Sequence, residues 1–188
     1  MKKEVLITGG AGYIGTTLIP ELLVRNYNVT VYDSLTYEGD ILIPYFANPN
    51  FKFTKGCILE KDKLQKSMEG KDIIIHLAAL VGYAACERNH NMTQLVNCDA
   101  TDGLVEMLTP NQLLLFGSTG SNYGKVTNGI CTEETPLNPT SLYAETKTYA
   151  EKKAMSHSNT IAYRFATAFG SSPRLRLDLL INELTYLA

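Results

Sequence analysis

The chain has 188 residues, of which 45% are hydrophobic and 19% are charged, and its formal net charge is −2 at pH 7. This length and composition suit one globular domain, and the near-neutral charge gives no electrostatic basis for binding nucleic acid or an acidic membrane surface. No apolar run reaches the roughly 18 residues of a membrane span, and the first strand begins too early to follow a signal peptide, so we expect a cytoplasmic protein without a membrane partner.

Four widely spaced cysteines match no metal-binding pattern and are expected to be free thiols, namely Cys57, Cys86, Cys98 and Cys131.

Short apolar runs alternate along the chain with segments of helical spacing. The runs are nearly continuous, as strands buried on both faces require, and they predict strands at 4–8, 27–33, 51–54, 72–79, 112–118 and 160–165. Helical spacing of apolar residues predicts helices at 15–26, 59–69, 91–108, 141–155 and 175–188. Strands and helices in this alternation predict a doubly wound α/β domain with a parallel sheet, because right-handed crossovers join parallel strands.

The segment TGGAGYIG between the first strand and the first helix contains four glycines within Thr8–Gly15. Gly10, Gly12 and Gly15 fit the pattern G-x-G-x-x-G, whereas Gly9, Gly12 and Gly15 fit G-x-x-G-x-x-G. In either pattern glycine lets the backbone approach a pyrophosphate that lies at the helix N-terminus. Both patterns therefore predict a dinucleotide site.

An aspartate, Asp33, ends the second predicted strand about 20 residues further on, where ribose recognition is expected. Its carboxylate would accept hydrogen bonds from the ribose hydroxyls of adenosine and would repel a 2′-phosphate. The sequence therefore favours NAD over NADP.

The segment SLYAETK places Tyr143 and Lys147 four residues apart on one face of a predicted helix. A nearby ammonium group is expected to lower the pKa of the phenol from about 10 toward 7, so that the tyrosine can act as a base. Tyr149 and Lys153 repeat the spacing, but they lie about 240° further around the helix. We choose Tyr143 because it begins the helix, after a proline-containing loop from which a side chain can reach a cleft.

Three hydroxyl side chains, Ser118, Thr119 and Ser121, follow the fifth predicted strand in the segment GSTGSNYG. The carboxyl ends of parallel strands are where α/β sheets hold their active groups. This segment is therefore expected to supply a hydroxyl to the same site.

With these motifs the chain resembles the extended short-chain dehydrogenase/reductase family, in particular its nucleotide-sugar epimerases and dehydratases. The resemblance runs from Val5 to about Gly170 and rests on TGGAGYIG, Asp33, HLAA at 76–79, Asn97, GSTGSNYG, TEETPLNPTSLYAETK and YRFATAFG. It implies a Rossmann-type NAD-binding domain over residues 1–170. It also implies that 171–188 begin a smaller C-terminal substrate region that is largely absent from this chain.

The resemblance further implies roles for individual residues. Tyr143 would be the catalytic base, Lys147 would hold the nicotinamide ribose, and Thr119 would bind the reacting hydroxyl. Cofactor contacts are expected from Gly9, Gly12, Tyr13, Ile14, Gly15, Asp33, Ile58, Leu77, Ala78, Ala79, Asn97, Ser118, Tyr143 and Lys147. Substrate contacts are expected from Thr119, Ser121, Thr167 and Arg174, with Arg176 as a second cation for a diphosphate.

The chain departs from the family pattern in three places. Cys57 stands where an aspartate usually accepts the adenine amino group, and Thr167 stands where a substrate-binding asparagine is common. Gly120 and Ser121 replace the Asp-Glu pair of the 4,6-dehydratases, which leaves no acid and base to eliminate water.

We therefore expect an NAD-dependent epimerase resembling UDP-glucose 4-epimerase, which oxidises a sugar C4 hydroxyl and re-reduces the 4-keto intermediate. A dehydratase, an NADH-dependent ketone reductase and a non-catalytic dinucleotide-binding protein are the alternatives. The resemblance also implies a nucleotide-sugar substrate and a homodimer.

Overall fold

The computed structural model describes residues 2–37, 39–126 and 129–188. Six parallel strands form one sheet in the order β3-β2-β1-β4-β5-β6. Their bounds are β1 Glu4–Thr8, β2 Asn28–Asp33, β3 Phe51–Lys55, β4 Ile73–His76, β5 Leu113–Thr119 and β6 Thr160–Phe165. Each strand lies where the sequence predicted it, and the Rossmann-type doubly wound fold is confirmed.

Helices flank the sheet on both faces. Their bounds are α1 Tyr13–Val24, α2 Lys61–Met68, α3 Tyr83–Arg88, α4 His90–Gln94, α5 Ala100–Met107, α6 Leu142–Ala154 and α7 Leu180–Leu187. The helix predicted at 91–108 is divided, because a π-helical turn at Leu95–Asp99 separates α4 from α5. Short 3-10 helices at Asp40–Tyr45 and Gly120–Tyr123, together with α3, were not predicted.

The nearly continuous apolar runs are explained by burial of the sheet on both faces. In β1, Leu6 packs into one hydrophobic cluster, whereas Val5 and Ile7 pack into the other. The first cluster includes residues of α2, α5 and α6, and the second includes Ile19 of α1. A strand covered by helices on both sides has no polar face, so its sequence does not alternate.

The strand order reverses between β1 and β4, which places a switch point at the carboxyl ends of these two strands. Thr8 and His76 end the two strands, and the Oγ1 of Thr8 lies 2.6 Å from the Nδ1 of His76. Ligands of open α/β sheets bind just outside such a point. Among the helices of the described residues, none has the length and apolar character that crossing a bilayer requires.

Candidate active site

A crevice of about 980 Å³ opens at the carboxyl ends of the strands. It is lined by the glycine loop, by the segments that follow β2, β4, β5 and β6, and by the start of α6. Of the residues expected at the site, all except Asn97 line this crevice. The expected residues that line it are Gly9, Gly12, Tyr13, Ile14, Gly15, Asp33, Ile58, Leu77, Ala78, Ala79, Ser118, Thr119, Ser121, Tyr143, Lys147, Thr167, Arg174 and Arg176.

The glycine loop is shaped by close approaches of its own backbone. Gly9 has a φ of +71°, and a Cβ there would lie 2.6 Å from the backbone nitrogen of Ala78. A Cβ at Gly15 would lie 2.4 Å from the carbonyl oxygen of Gly10. Gly9, Gly12 and Gly15 line the crevice, whereas Gly10 does not. The structure therefore favours the pattern G-x-x-G-x-x-G.

The N-terminus of α1 is open to an anion. Gly12 is its N-cap residue, no side chain caps the helix, and no acidic residue lies in the first turn. The first amides of a helix carry a partial positive charge and need acceptors. Because the crevice reaches this helix end, the loop fits the pyrophosphate of a dinucleotide.

Asp33 lies at the end of β2 and is fixed by two backbone amides. Its Oδ2 accepts a hydrogen bond from the nitrogen of Ala11 at 3.0 Å, and its Oδ1 accepts one from the nitrogen of Leu35 at 2.8 Å. Each carboxylate oxygen has a further lone pair, which can accept from a ribose hydroxyl. The geometry of Asp33 thus fits the adenosine end of NAD.

Tyr143 and Lys147 project from the first two turns of α6, whose N-cap residue Ser141 accepts a hydrogen bond from the nitrogen of Ala144 at 3.2 Å. Lys147 is 5% exposed, and its Nζ lies 4.2 Å from the centroid of the Phe116 ring. Within the described residues, no oxygen accepts a hydrogen bond from this ammonium group. Burial lowers the pKa of Lys147 to about 8. A buried ammonium group that faces the crevice without an acceptor fits the hydroxyls of a nicotinamide ribose.

The groups that shift the pKa of Tyr143 differ from those expected. Burial raises the pKa of Tyr143, while the Thr119 side chain and the charge of Arg176 lower it. Lys147, whose ammonium group lies over Phe116, is not among the groups that shift this pKa. The expected lowering by Lys147 is therefore not found in this arrangement, and the Arg176 guanidinium supplies the positive charge instead.

The second Tyr-Lys pair lies outside the crevice. Tyr149 is 47% exposed, and its hydroxyl donates a hydrogen bond to Asp102 at 2.8 Å. Lys153 forms an ion pair with Glu106 at 3.5 Å. Both partners belong to α5, so these side chains turn toward that helix and away from the crevice. The predicted choice of Tyr143 and Lys147 as the pair facing the crevice agrees with the structure.

The hydroxyls after β5 have separate surroundings. Thr119 is buried, and its Oγ1 accepts a hydrogen bond from the nitrogen of Ser121 at 3.1 Å. The hydroxyl of Ser118 instead donates to Glu151 at 2.5 Å, within a buried polar cluster behind the crevice. Of the three hydroxyls, that of Thr119 is the one whose side chain lowers the pKa of Tyr143.

Asn97 does not line the crevice, contrary to expectation. It is 2% exposed in the π-helical turn, and its Oδ1 accepts a hydrogen bond from the nitrogen of Leu80 at 2.8 Å. Its Nδ2 donates to the carbonyl oxygen of Leu80 at 3.0 Å and to Thr146 at 3.2 Å. These bonds fasten the segment after β4 to α6, and the expected contact of Asn97 with the cofactor stays a prediction.

The segment after β6 packs against the glycine-loop helix, which the sequence did not predict. The hydroxyl of Tyr13 donates to the carbonyl oxygen of Gly170 at 2.7 Å, and Ser172 donates to the carbonyl oxygen of Tyr13 at 2.9 Å. Arg174, two residues later, stacks over the ring of Tyr37 at 3.8 Å. No spacing in the sequence pointed to Tyr37, which also lines the crevice.

These features define an α/β dinucleotide-binding protein whose crevice contains a phenol, an ammonium group and a hydroxyl. The model of the NAD dependent epimerase/dehydratase family matches residues 5–178. The chain belongs to this family.

Individual relatives agree with this assignment. UDP-glucose 4-epimerase 4 of Oryza sativa subsp. japonica is 30% identical over 187 residues, which cover 91% of this chain and 51% of that protein. DesIV, a dTDP-glucose 4,6-dehydratase from Streptomyces venezuelae solved with NAD and TYD, has a TM-score of 0.85 and 28% identity, covering 98% of this chain and 62% of that one. UDP-glucuronic acid 4-epimerase from Bacillus cereus, solved with UDP-glucuronic acid and NAD, also has a TM-score of 0.85, with 26% identity over 96% of this chain and 61% of that one.

The cofactor expected from the sequence is the one that the family description names and that both solved structures contain. The chain spans about half the length of the curated relatives it matches.

Proposed function

We propose that the crevice binds NAD, with the adenosine ribose at Asp33, the pyrophosphate at the N-terminus of α1 and the nicotinamide ribose at Lys147. The two amides that hold Asp33, the uncapped helix and the buried ammonium group support this placement. The predicted preference for NAD over NADP follows from the same carboxylate, which repels a 2′-phosphate.

We propose further that the chain belongs to an epimerase that acts at C4 of a nucleotide sugar, as UDP-glucose 4-epimerase does. The observation that carries this choice is the scarcity of carboxylates in the crevice. Among the described residues that line it, Asp33 is the only aspartate or glutamate, and both of its oxygens are held at the ribose end. Elimination of water from the sugar needs an acid and a base, whereas epimerisation at C4 needs one group that takes and returns a single proton.

Thr119 and Tyr143 have different roles in the proposed reaction at C4 of the sugar. The chemistry that NAD supplies when bound is the acceptance and return of a hydride at its nicotinamide ring. Thr119 accepts or donates a hydrogen bond at the C4 oxygen, and Tyr143 as phenolate takes the proton of the C4 hydroxyl while C4 loses its hydride. The same phenol returns the proton when the 4-keto sugar is reduced on its other face, so the reaction has no net oxidation.

The remaining expected contacts are proposals of the same kind. Ser121 and Thr167 line the crevice beyond Thr119, and Arg174 lines it beside Tyr37. Their hydroxyls and guanidinium suit the sugar and the diphosphate of a nucleotide sugar. The homodimer, the cytoplasmic location and the division of the chain near residue 170 stay predictions.

The test uses the full-length protein, with UDP-glucose, UDP-galactose and dTDP-glucose as probes. We expect bound NAD and interconversion of the two UDP sugars without net NADH formation. Tyr143→Phe should lower turnover at least 100-fold, the usual size of a lost general base, while NAD binding persists. Tyr149→Phe is the matched control, because this tyrosine has the same spacing to a lysine but lies outside the crevice.

Three outcomes would contradict the proposal. Full turnover by Tyr143→Phe would remove the tyrosine from the chemistry. Accumulation of a 4-keto-6-deoxy sugar would establish the dehydratase alternative. A chain that binds NAD tightly but converts none of the three probes would favour the non-catalytic alternative.

A further inference from the structure

A buried carboxylate lies directly behind the crevice. Glu151 is one helical turn after Lys147 on α6, and its side chain is 7% exposed. Its Oε2 accepts hydrogen bonds from the Ser118 hydroxyl at 2.5 Å and from the Nδ2 of Asn122 at 2.9 Å. Its two oxygens also accept hydrogen bonds from the guanidinium of Arg164. Nη2 donates to Oε1 at 2.6 Å, and Nε donates to Oε2 at 3.1 Å.

The arginine extends this cluster to a second part of the structure. Arg164 lies on β6, and its Nη1 donates to the hydroxyl of Tyr123 at 2.9 Å and to the carbonyl oxygen of Glu133 at 3.3 Å. The guanidinium also lies over the Tyr123 ring at 5.1 Å. One carboxylate thereby joins α6, β6 and the segment that follows β5.

The residues that bind Glu151 lie on both sides of Thr119 along the chain. Ser118 directly precedes Thr119, and Asn122 follows it in the 3-10 helix Gly120–Tyr123. Asn122 also donates to the Ser118 hydroxyl at 3.0 Å, which closes the loop around Thr119. The segment that carries Thr119 is therefore fastened on both sides to the helix that carries Tyr143 and Lys147.

We propose that Glu151 is a positioning residue, which sets the Thr119 hydroxyl against the Tyr143 phenol and holds a carboxylate one helical turn from the Lys147 ammonium group. This inference rests on the proposed function, which assigns the roles of Thr119, Tyr143 and Lys147. The geometry itself consists of three side chains that converge on one buried carboxylate and of the single helical turn between Glu151 and Lys147.

The charge of Glu151 acts on a lysine that burial would otherwise neutralise. The groups that face Lys147 are the Phe116 ring of β5, His76 of β4, Cys98 of the π-helical turn and Glu151 of its own helix. Burial is the largest influence and lowers the pKa of Lys147 to about 8, while Glu151 is the largest influence that raises it. Removing the charge of Glu151 should therefore lower this pKa further, toward or below neutral pH.

The experiment separates the effect of the charge of Glu151 from the effect of its side-chain length. Glu151→Gln keeps the length and an acceptor but loses the charge, whereas Glu151→Asp keeps the charge but shortens the side chain. Glu145→Gln is the matched control, because Glu145 is an exposed residue on the same helix. NMR of protein carrying [ε-13C]lysine and [ζ-13C]tyrosine reports both titrations, with the two signals assigned from Lys147→Met and Tyr143→Phe.

We expect the Lys147 signal to titrate at least one pH unit lower in Glu151→Gln than in the natural chain, and near its natural pH in Glu151→Asp and Glu145→Gln. The Tyr143 signal should titrate higher in Glu151→Asp, whose shorter side chain withdraws from Ser118 and Asn122, because the lowering contributed by Thr119 depends on the position of its loop. Should both variants fail to fold, Ser118→Ala removes the hydrogen bond to Glu151 and the one from Asn122 but no charge. It should shift the Tyr143 titration and leave that of Lys147 unchanged.

A role in stability alone predicts a different result. Folded Glu151 variants in which neither signal moves would overturn the proposal, and so would a Lys147 signal that moves equally in Glu151→Gln and Glu151→Asp. These titrations need neither NAD nor a sugar. The proposal about Glu151 can therefore fail while the proposed epimerase activity stands, and the activity can fail while the titrations behave as expected.

Discussion

Replacing Gly15 by alanine tests whether the glycine loop is shaped by backbone contact. A Cβ at this position would lie 2.4 Å from the carbonyl oxygen and 2.6 Å from the Cα of Gly10. Ordinary contacts of a Cβ begin near 3.4 Å, so the loop or the helix would have to move by roughly 1 Å. Both neighbouring atoms are backbone, and no flexible side chain can yield in their place.

The size of the effect follows from two opposing contributions. Overpacking of a well-packed site costs about 1–3 kcal/mol, and we expect the upper end because only backbone can yield. Alanine returns about 1 kcal/mol through its higher helix propensity, since Gly15 lies inside α1. The net loss of unfolding free energy is then about 2 kcal/mol, or a decrease in Tm of about 4–8 °C for a chain of this size.

Gly103→Ala is the matched control. Gly103 is also buried inside a helix, α5, but a Cβ there would meet only the flexible end of Lys61, at 3.3 Å from its Cε. We therefore expect this variant to gain about 1 kcal/mol from helix propensity. Thermal and urea unfolding of the three proteins measures both changes. Equal stability of the two variants, or a Gly15→Ala chain that unfolds and binds NAD like the natural one, would refute the argument.

Three further predictions concern charged or titratable side chains. Asp33→Asn loses the charge and one of the two amide bonds, so NAD affinity, measured by calorimetry, should fall about tenfold or more and the discrimination against NADP should shrink. Lys147 carries its charge below its pKa of about 8, so NAD affinity should decrease as the pH rises through 8, and Lys147→Met should bind weakly at every pH. Burial lowers the pKa of His76 to about 3. Between pH 6.5 and pH 3 the imidazole is therefore protonated in the unfolded chain but neutral in the folded chain. Stability should therefore fall between pH 6.5 and 3, by up to about 1.4 kcal/mol per pH unit.

Each of these predictions has a contradicting result. Unchanged selectivity of Asp33→Asn would remove the carboxylate from ribose recognition. An NAD affinity that stays level from pH 7 to pH 9 would show that the ammonium group of Lys147 does not contact the cofactor. Urea unfolding of His76→Gln should lack the acid slope attributed to His76, and an identical slope in both proteins would assign it to other groups.

The strands could be predicted because burial on both faces of a sheet leaves a simple pattern. Runs such as EVLIT and IIIH contain few polar residues, and each became a strand. The division of 91–108 could not be predicted, because apolar spacing does not distinguish a π-helical turn from a regular one. Helix α3 has only six residues and begins after Gly82, whose φ is +91°, so it gave too short a pattern to detect.

The site was predicted where its residues share a local motif. The glycine loop, Asp33 and the pair of Tyr143 and Lys147 each lie in one short segment with a fixed spacing, and all of them line the crevice. The partner of Ser118 is 33 residues away, and no spacing rule connects these two positions. For the same reason no pattern indicated that the Asn97 side chain binds Leu80 and Thr146.

The side chains that line the crevice include more cations than anions among the described residues. Lys147, Arg174 and Arg176 are cationic, whereas Asp33 is the single carboxylate among the described lining residues. Asp178 holds Arg176 in an ion pair at 2.5 Å, yet the guanidinium still lowers the pKa of Tyr143. Because burial raises that pKa, the phenol needs positive charge to ionise, and Lys147 points at Phe116. A ligand whose ribose draws the ammonium group from the ring toward Tyr143 would supply the missing charge, so ionisation of the phenol should follow binding of the dinucleotide.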